Sequence, residues 1–280
     1  MTTGEPWQEI GDRVFVRRHA SLDLNCGLVV GSHACLVIDT RLHLGEAADL
    51  IEAIRQITPL PWTVVNTHAH WDHCFGNAAF RPAEIWSHTA AAKELAASGE
   101  PQRECAVELT RSSGRDDIAD QIQSAPIDLA DRLVDEHAEL ILGDRTVDLR
   151  FLGRGHTGGD LVVDVDCGPD GSVLFAGDLV EEGNPPGFDD SFPFDWPGTL
   201  GRVHALARGP VVPGHGAVVD GTFVRDQRAE LSALERIIRE TLPGSANAAA
   251  EFTGPVSAGS PYDDQTTRVA VRRGWLQAHG

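Results

Sequence analysis

Twelve histidines stand in this chain of 280 residues, and several fall in runs that can do metal chemistry. His68, His70 and His73 share the run Thr67-His68-Ala69-His70-Trp71-Asp72-His73 with Asp72. Further on, His156 lies between Gly-Arg-Gly and Thr-Gly-Gly-Asp, Asp178 follows Val-Leu-Phe-Ala-Gly, and His215 sits in Val-Val-Pro-Gly-His-Gly. Each falls at the expected end of a strand. A His-x-His pair leaving a strand directs both imidazoles to one side of the chain, so His68 and His70 can bind one cation. Asp72 and His73 follow in the next turn, where they can face a second cation close by. Glycines at 155, 158, 159, 177, 214 and 216 let the backbone crowd around such a site. Imidazole together with carboxylate suits zinc, iron or manganese. No Gly-x-Ser-x-Gly elbow offers a serine nucleophile instead.

The elements that position these residues follow from periodicity. Residues 13–17 alternate like a strand, and 26–39 read as a hairpin turning at Gly31-Ser32-His33. Apolar residues at 47, 50, 51, 54 and 57 have a helical period that Pro59 and Pro61 end. A buried strand over 62–66 then runs straight into the histidine cluster. A strand at 84–87 precedes a helix over about 88–97, and residues 100–130 are polar and helical in tendency. Residues 140–142 with 147–152, and 161–165 with 173–176, make two more hairpins. A short strand at 211–212 and an amphipathic helix over 222–242 follow. Residues 243–260, rich in Pro, Gly, Ser and Ala, read as a flexible connection to a closing helix after Pro261. This order of strands and helices predicts an α/β (α+β) architecture, sheets covered by helices. The organisation expected is one domain over 1–243, with 244–280 a connection and a helix packed on it.

Composition narrows the function. Hydrophobic residues make up 41% and charged residues 23%, as in an ordinary globular protein rather than a disordered one. No apolar run approaches the roughly 20 residues of a membrane span. The formal charge is −19 and Lys93 is the single lysine, which argues against nucleic acid as a partner. Five cysteines, an odd number without a Cys-x-x-Cys pair, read as reduced thiols. With no basic-then-apolar leader at the N-terminus, a cytoplasmic location is expected. Cys74, beside His73, reads as a small packed residue. His19, His33, His43, His88, His137, His204 and His279 lack metal-binding context, with His43 the one candidate for the site's rim.

Taken together, His-x-His-x-Asp-His at 68–73, Gly-His-Thr at 155–157, Gly-Asp at 177–178 and Gly-His-Gly at 214–216 closely resemble the metallo-β-lactamase superfamily of metallohydrolases. The strand ending Val-Ile-Asp39-Thr also resembles a family element. The resemblance implies a four-layer αββα sandwich with metals held by loops at one edge of its two sheets. It implies that His68, His70 and His156 hold a first metal, that Asp72, His73 and His215 hold a second, and that Asp178 bridges them. Asp39 would support the metal-binding loop from behind. Two Zn²⁺ per chain are implied, with iron or manganese as alternatives. Two cations about 3.5–4 Å apart can share a hydroxide that is available at neutral pH. Asp72 and Asp178 would be the catalytic carboxylates, Asp72 steering the hydroxide's proton. The reaction implied is hydrolysis of an ester, thioester, lactone or amide bond in a small molecule.

Within the superfamily, the bridging Asp178 resembles glyoxalase II-type thioesterases and lactonases more than true β-lactamases, which carry Cys or Ser near that position. The similar lactonases place a Tyr shortly after the bridging Asp, whereas this chain has only Tyr262. Arg268, Arg272 and Arg273 make no specific match to the basic C-terminal part of glyoxalase II. The main alternative is a persulfide dioxygenase-like oxidoreductase with one iron, similar in fold and in most motifs. Superfamily nucleases are set aside by the net charge and the short chain. The segment Glu181–Trp196, which follows Asp178 directly, is expected to wall the substrate pocket with Phe188, Phe192 and Trp196, since pockets are commonly lined by aromatics.

Overall fold

Strands whose side chains alternate between two apolar environments dominate the first part of the chain. A computed structural model describes residues 6–242 and 259–280. Strands β1 (Gln8–Gly11), β2 (Val14–His19), β3 (Leu24–Val30) and β4 (Cys35–Ile38) form an antiparallel meander. Helix α1 (Leu44–Ile57) crosses over to β5 (Trp62–Val65), which lies parallel to β4. The short helix α2 (Trp71–Cys74) carries the histidine run. Strand β6 (Ile85–His88), helices α3 (Thr89–Ser112) and α4 (Asp116–Ser124), and strand β7 (Arg132–Val134) complete this half, β5, β6 and β7 pairing in parallel. In the second half, β8 (His137–Ile141), β9 (Thr146–Phe151), β10 (Leu161–Asp166) and β11 (Ser172–Glu181) run antiparallel. Helix α5 (Trp196–Leu206) then leads to β12 (Val211–His215), parallel to β11. Helices α6 (Gly221–Thr241) and α7 (Asp264–His279) close the described chain.

The two strand sets meet at one residue pair, His215 opposite Leu24, and fold face to face. Between them Val14, Val16, Leu36 and Ile38 of the first set pack with Val147, Val163, Val165 and Phe175 of the second. Alternation sends the intervening residues outward. Leu28, Val37 and Val64 pack on Ala47, Leu50 and Ile54 of α1. Val162, Leu174 and Ala176 pack on α5, α6 and α7 through Leu200, Leu234 and Val271. This is the expected αββα sandwich. Each such fully buried aliphatic side chain contributes about 1.5–3 kcal/mol.

Strands β1 and β7 have no counterpart in the sequence reading, and three further elements differ from it. Helix α3 does not stop near residue 97 but runs through Pro101 to Ser112. An interior proline costs about 3 kcal/mol, and tertiary contacts offset it. Ala106 and Val107 bury against Ala119 and Ile122 of α4, and Gln102 bonds the histidine loop at two points, accepting from Trp71 N (3.0 Å) and donating to Ala69 O (3.2 Å). Strand β11 extends to Glu181, past the expected end at 176, so Asp178 lies within it. Helix α5 went unread, although Trp196, Leu200 and Val203 have helical spacing and are buried. Most of the expected flexible connection, 243–258, lies outside the described residues.

Candidate metal centre

The centre lies where the strand ends of both sheets meet. Strand β5 releases Asn66 and Thr67, then His68, and His70 is the N-cap residue of α2 with extended backbone (φ −74°, ψ 144°). Asn66 and Asn77 exchange side-chain amide bonds of 3.0 and 2.9 Å, and the Thr40 hydroxyl donates to Asn77 Oδ1 at 2.8 Å, which fixes the loop from below. From the other sheet, His156 precedes a turn closed by Asp160, whose carboxylate accepts from Thr157 N at 2.9 and 3.0 Å. Gly177, at φ +52°, bends β11 with a shift of register, an irregularity that re-aims the next side chain, Asp178. Gly214 leaves room for that side chain, since a Cβ there would lie 1.7 Å from Asp178 Oδ1.

All seven residues expected to ligate metal come together, in two groups. His68, His70, His156 and Asp178 form one, and Asp72, His73 and His215 the other, with the ligand atoms of each group within 4.8 Å of one another. In the first, His70 Nδ1 is 3.0 Å from His68 Nε2 and 2.9 Å from His156 Nε2. In the second, His73 Nε2 is 3.3 Å from His215 Nε2, and Asp72 Oδ2 is 3.4 Å from His215 Nε2. Asp178 faces both groups. Its Oδ2 is 3.4 Å from His156 Nε2 and 3.3 Å from His215 Nε2, while its Oδ1 is 3.2 Å from His73 Nε2. Four ligands at 2.0–2.1 Å around a tetrahedral cation stand about 3.4 Å apart. The observed spacing fits that geometry. Asp178 Oδ1 is moreover buried without a hydrogen-bond partner, as a lone pair reserved for a cation would be.

The groups behind the ligands set which ring nitrogen faces inward. Asp39, 2% exposed and in left-handed backbone (φ +62°), accepts from Thr67 N (2.8 Å), Thr67 Oγ1 (2.9 Å) and His73 Nδ1 (2.8 Å). With its proton committed to Asp39, Thr67 Oγ1 accepts from His68 Nδ1 at 3.0 Å. His70 Nε2 donates to Asp190 Oδ2 at 2.9 Å, and His215 Nδ1 to the Leu22 carbonyl at 2.8 Å. His156 Nδ1 has no hydrogen bond and lies 3.6 Å from Glu181 Oε1. These assignments leave the nitrogens of His68, His70, His73 and His215 that point inward free to coordinate.

Burial and mutual charge govern protonation. Burial pulls His68 well below the usual histidine range, the positive His73 beside it adding to the effect. Burial likewise brings His156 down to about 4. For His215, burial is outweighed by Asp178 and Asp72, which push it up to about 12. Burial also opposes the charge on His70, but the bond to Asp190 carries it up to about 9. Burial disfavours ionised Asp72, and the charges of His73 and His215 still hold it at about 2. Without cations, the site balances its carboxylates with protons on its own histidines.

A cavity of about 460 Å³ opens onto His70, Asp72, His156 and Asp178. Trp71, Gln102, Cys105, Glu181, Asp189 and Asp190 line its remainder, with Gly187 among them. The segment after Asp178 thus reaches the cavity, but the aromatic wall expected of it is replaced by a polar one. Phe188 and Trp196 are 2% and 0% exposed, packed in the core with Leu200 of α5 and Val224 of α6. Large aromatic rings stabilise most when fully buried. Phe192 stacks under the guanidinium groups of Arg154 and Arg273 instead of lining the cavity. Sequence reasoning missed Thr67, Glu181 and Asp190, which meet the ligands across up to 120 residues of chain; the local signal for each is a lone polar residue without a period. His43 caps α1, accepting from Gly45 N at 3.1 Å, and is absent from this cavity's lining. Cys74 is buried as expected.

Comparison with known proteins agrees with the architecture. No curated protein matches the sequence. Among solved structures, the chain is similar to a metallo-beta-lactamase from Pontibacter korlensis, with TM-score 0.61 and 18% identity over 82% of this chain and 99% of that one. It is similar also to TMB-1 (TM-score 0.58, 18% identity, 83% and 99% covered) and to DIM-1 metallo-beta-lactamase (TM-score 0.59, 14% identity, 82% and 99% covered). At such identities the likeness is one of fold. The family model described as the metallo-beta-lactamase superfamily matches residues 22–231, a span that holds both ligand groups and most strands of both sheets, and the chain belongs to that superfamily.

Proposed function

We propose that the protein is a dinuclear metal-dependent hydrolase, with zinc as its metal, acting on an ester, thioester, lactone or amide bond of a small molecule. The observation that carries this reading is Asp178, whose two oxygens face the two ligand groups at 3.2–3.4 Å. A second complete group favours two metals over the single iron of a dioxygenase-like enzyme. His68, His70 and His156 would hold one ion, Asp72, His73 and His215 the other, and Asp178 both. Bound there, the pair of ions supplies a hydroxide at neutral pH and polarises the bond to be cleaved.

The chain's own residues do the rest. Asp39, Thr67, Asp190 and the Leu22 carbonyl hold four imidazoles in the tautomer that ligation needs. Asp72, which lines the cavity, would accept a proton from the attacking water. Trp71 and Gly187 line the cavity beside the two groups. The acidic chain gives no cationic footprint for nucleic acid. No helix among the described residues is long and apolar enough to cross a membrane. Five free thiols suit a reducing compartment, and a cytoplasmic location is proposed.

Elemental analysis of the purified protein tests the reading, followed by turnover of thioesters, lactones, aryl esters and β-lactams. About two zinc ions per chain and hydrolysis abolished by a chelator are expected. One iron per chain with oxygen uptake on persulfide would overturn it.

A further inference from the structure

We propose that this cavity selects substrates bearing an ammonium group beyond the reacting bond and rejects those bearing a carboxylate or phosphate there. The inference rests on the hydrolase reading for where the substrate lies. It starts from which charges surround that position. Enzymes that grip an anionic substrate arm present Arg or Lys to it. Among the described residues, no Arg or Lys lines the cavity, whereas Glu181, Asp189 and Asp190 do, apart from the ligating carboxylates.

Arg273 and Arg154, which hold the segment after Asp178, are bonded outside the lining. Arg273 donates to the Ser191 carbonyl and lies over the Phe192 ring at 5.0 Å. Arg154 donates to Asp195 at 2.8 Å and also lies over the Phe192 ring, at 4.3 Å. Lys93 is exposed on α3 and outside the lining. Asp190 is anchored by His70 at 2.9 Å, so its charge is fixed beside the first ligand group. Asp189 is exposed at the mouth. Trp71 adds the one large aromatic surface of the lining, and an aromatic face beside carboxylates is how proteins bind quaternary ammonium groups. A cation in the cavity therefore gains acidic side chains and a ring. An anion meets like charges and, among the described lining residues, no Arg or Lys.

The test reads affinity rather than turnover. Protein loaded with Co²⁺ is titrated with three thiols of similar size, followed by the thiolate-to-cobalt absorption. The thiols are 2-(trimethylammonio)ethanethiol, its neutral isostere 3,3-dimethylbutane-1-thiol, and 3-mercaptopropionate. Referred to the thiolate concentration of each, because the ammonium makes its own thiol the most acidic of the three, the cationic thiol is expected to bind about tenfold tighter than the neutral one, and the anionic thiol about tenfold weaker, at low salt. The spread should shrink at about 0.5 M salt. Asp189→Lys, on an exposed residue, should narrow or invert the order. Equal affinity for the cationic and neutral thiols, tightest binding of the anion, or an order unmoved by Asp189→Lys would overturn the proposal. Because the thiols are not hydrolysed, the charge order can stand where hydrolysis fails, and hydrolysis can stand where the charge order fails.

Discussion

Asp39→Asn isolates what one buried oxygen does for the second ligand group. Asn tolerates the left-handed backbone of this position, and its Oδ1 can still accept from Thr67 N, so the strand end should hold. The change falls on Oδ2, which accepts from Thr67 Oγ1 at 2.9 Å and from His73 Nδ1 at 2.8 Å. An amide nitrogen there can only donate. Thr67 Oγ1 has lone pairs to receive it and still accepts from His68 Nδ1. His73 must turn its Nδ1 into an acceptor, which moves its proton to Nε2. That nitrogen faces Asp178 Oδ1 at 3.2 Å and is the one that would ligate. Loss of such an orienting partner costs about 10- to 100-fold in metal affinity, or about 1.4–2.7 kcal/mol. Competition against a chromophoric chelator measures both ions. The ion held by Asp72, His73 and His215 should weaken by that factor, and the ion held by His68, His70 and His156 by less than about threefold. Two unchanged affinities, or two equally reduced ones, would show that Asp39 does not act through the His73 tautomer.

Metal binding should release protons at pH 7, because Asp178 and Asp72 raise His215 to about 12 and Asp190 raises His70 to about 9 in the metal-free site, against their burial. Apparent affinity should therefore rise with pH, and calorimetry in buffers of different ionisation enthalpy counts the protons; a pH-independent affinity would contradict these protonation states. Gly214→Ala should displace Asp178, since the new Cβ would lie 1.7 Å from its Oδ1; loss of at least one bound metal is expected, with the ion count as the readout. His19 is 2% exposed, and burial, helped by Arg41 and Arg17, lowers it to about 2. Its folded value lies below the unfolded one, so its stabilisation is present above about pH 6.5 and is lost as pH falls. Relative to His19→Gln, the metal-free protein should lose about 2–3 kcal/mol between pH 6.5 and 4.5, measured by denaturant melts in chelator; parallel curves would refute it.

Much of the candidate site was legible in the chain because its His and Asp residues come in local clusters. His68, His70, Asp72 and His73 lie within six consecutive residues, and the strands feeding them alternate or run apolar as buried strands do. Glycines marked the positions where backbone and ligand crowd together, and Gly177 and Gly214 do so. Helix α3 was cut short in the reading because a proline outweighs local propensity, while the packing of Ala106 and Val107 is non-local. The aromatics after Asp178 were misplaced for a related reason. Sequence shows that Phe188 and Trp196 are large and apolar, and such residues satisfy a core as well as a pocket.

The sequence by itself determined the donor types, their grouping in the chain and the strand ends that carry them, since these depend on spacing of a few residues. Only the tertiary structure decided that Asp178 faces both groups, that Asp39, Thr67 and Asp190 bond the outer nitrogens of the imidazoles, and that carboxylates and Trp71 line the cavity in place of Phe188, Phe192 and Trp196. Those facts depend on contacts between residues far apart in sequence. Such contacts exist only once two sheets, each burying its own alternating face, have closed on one another.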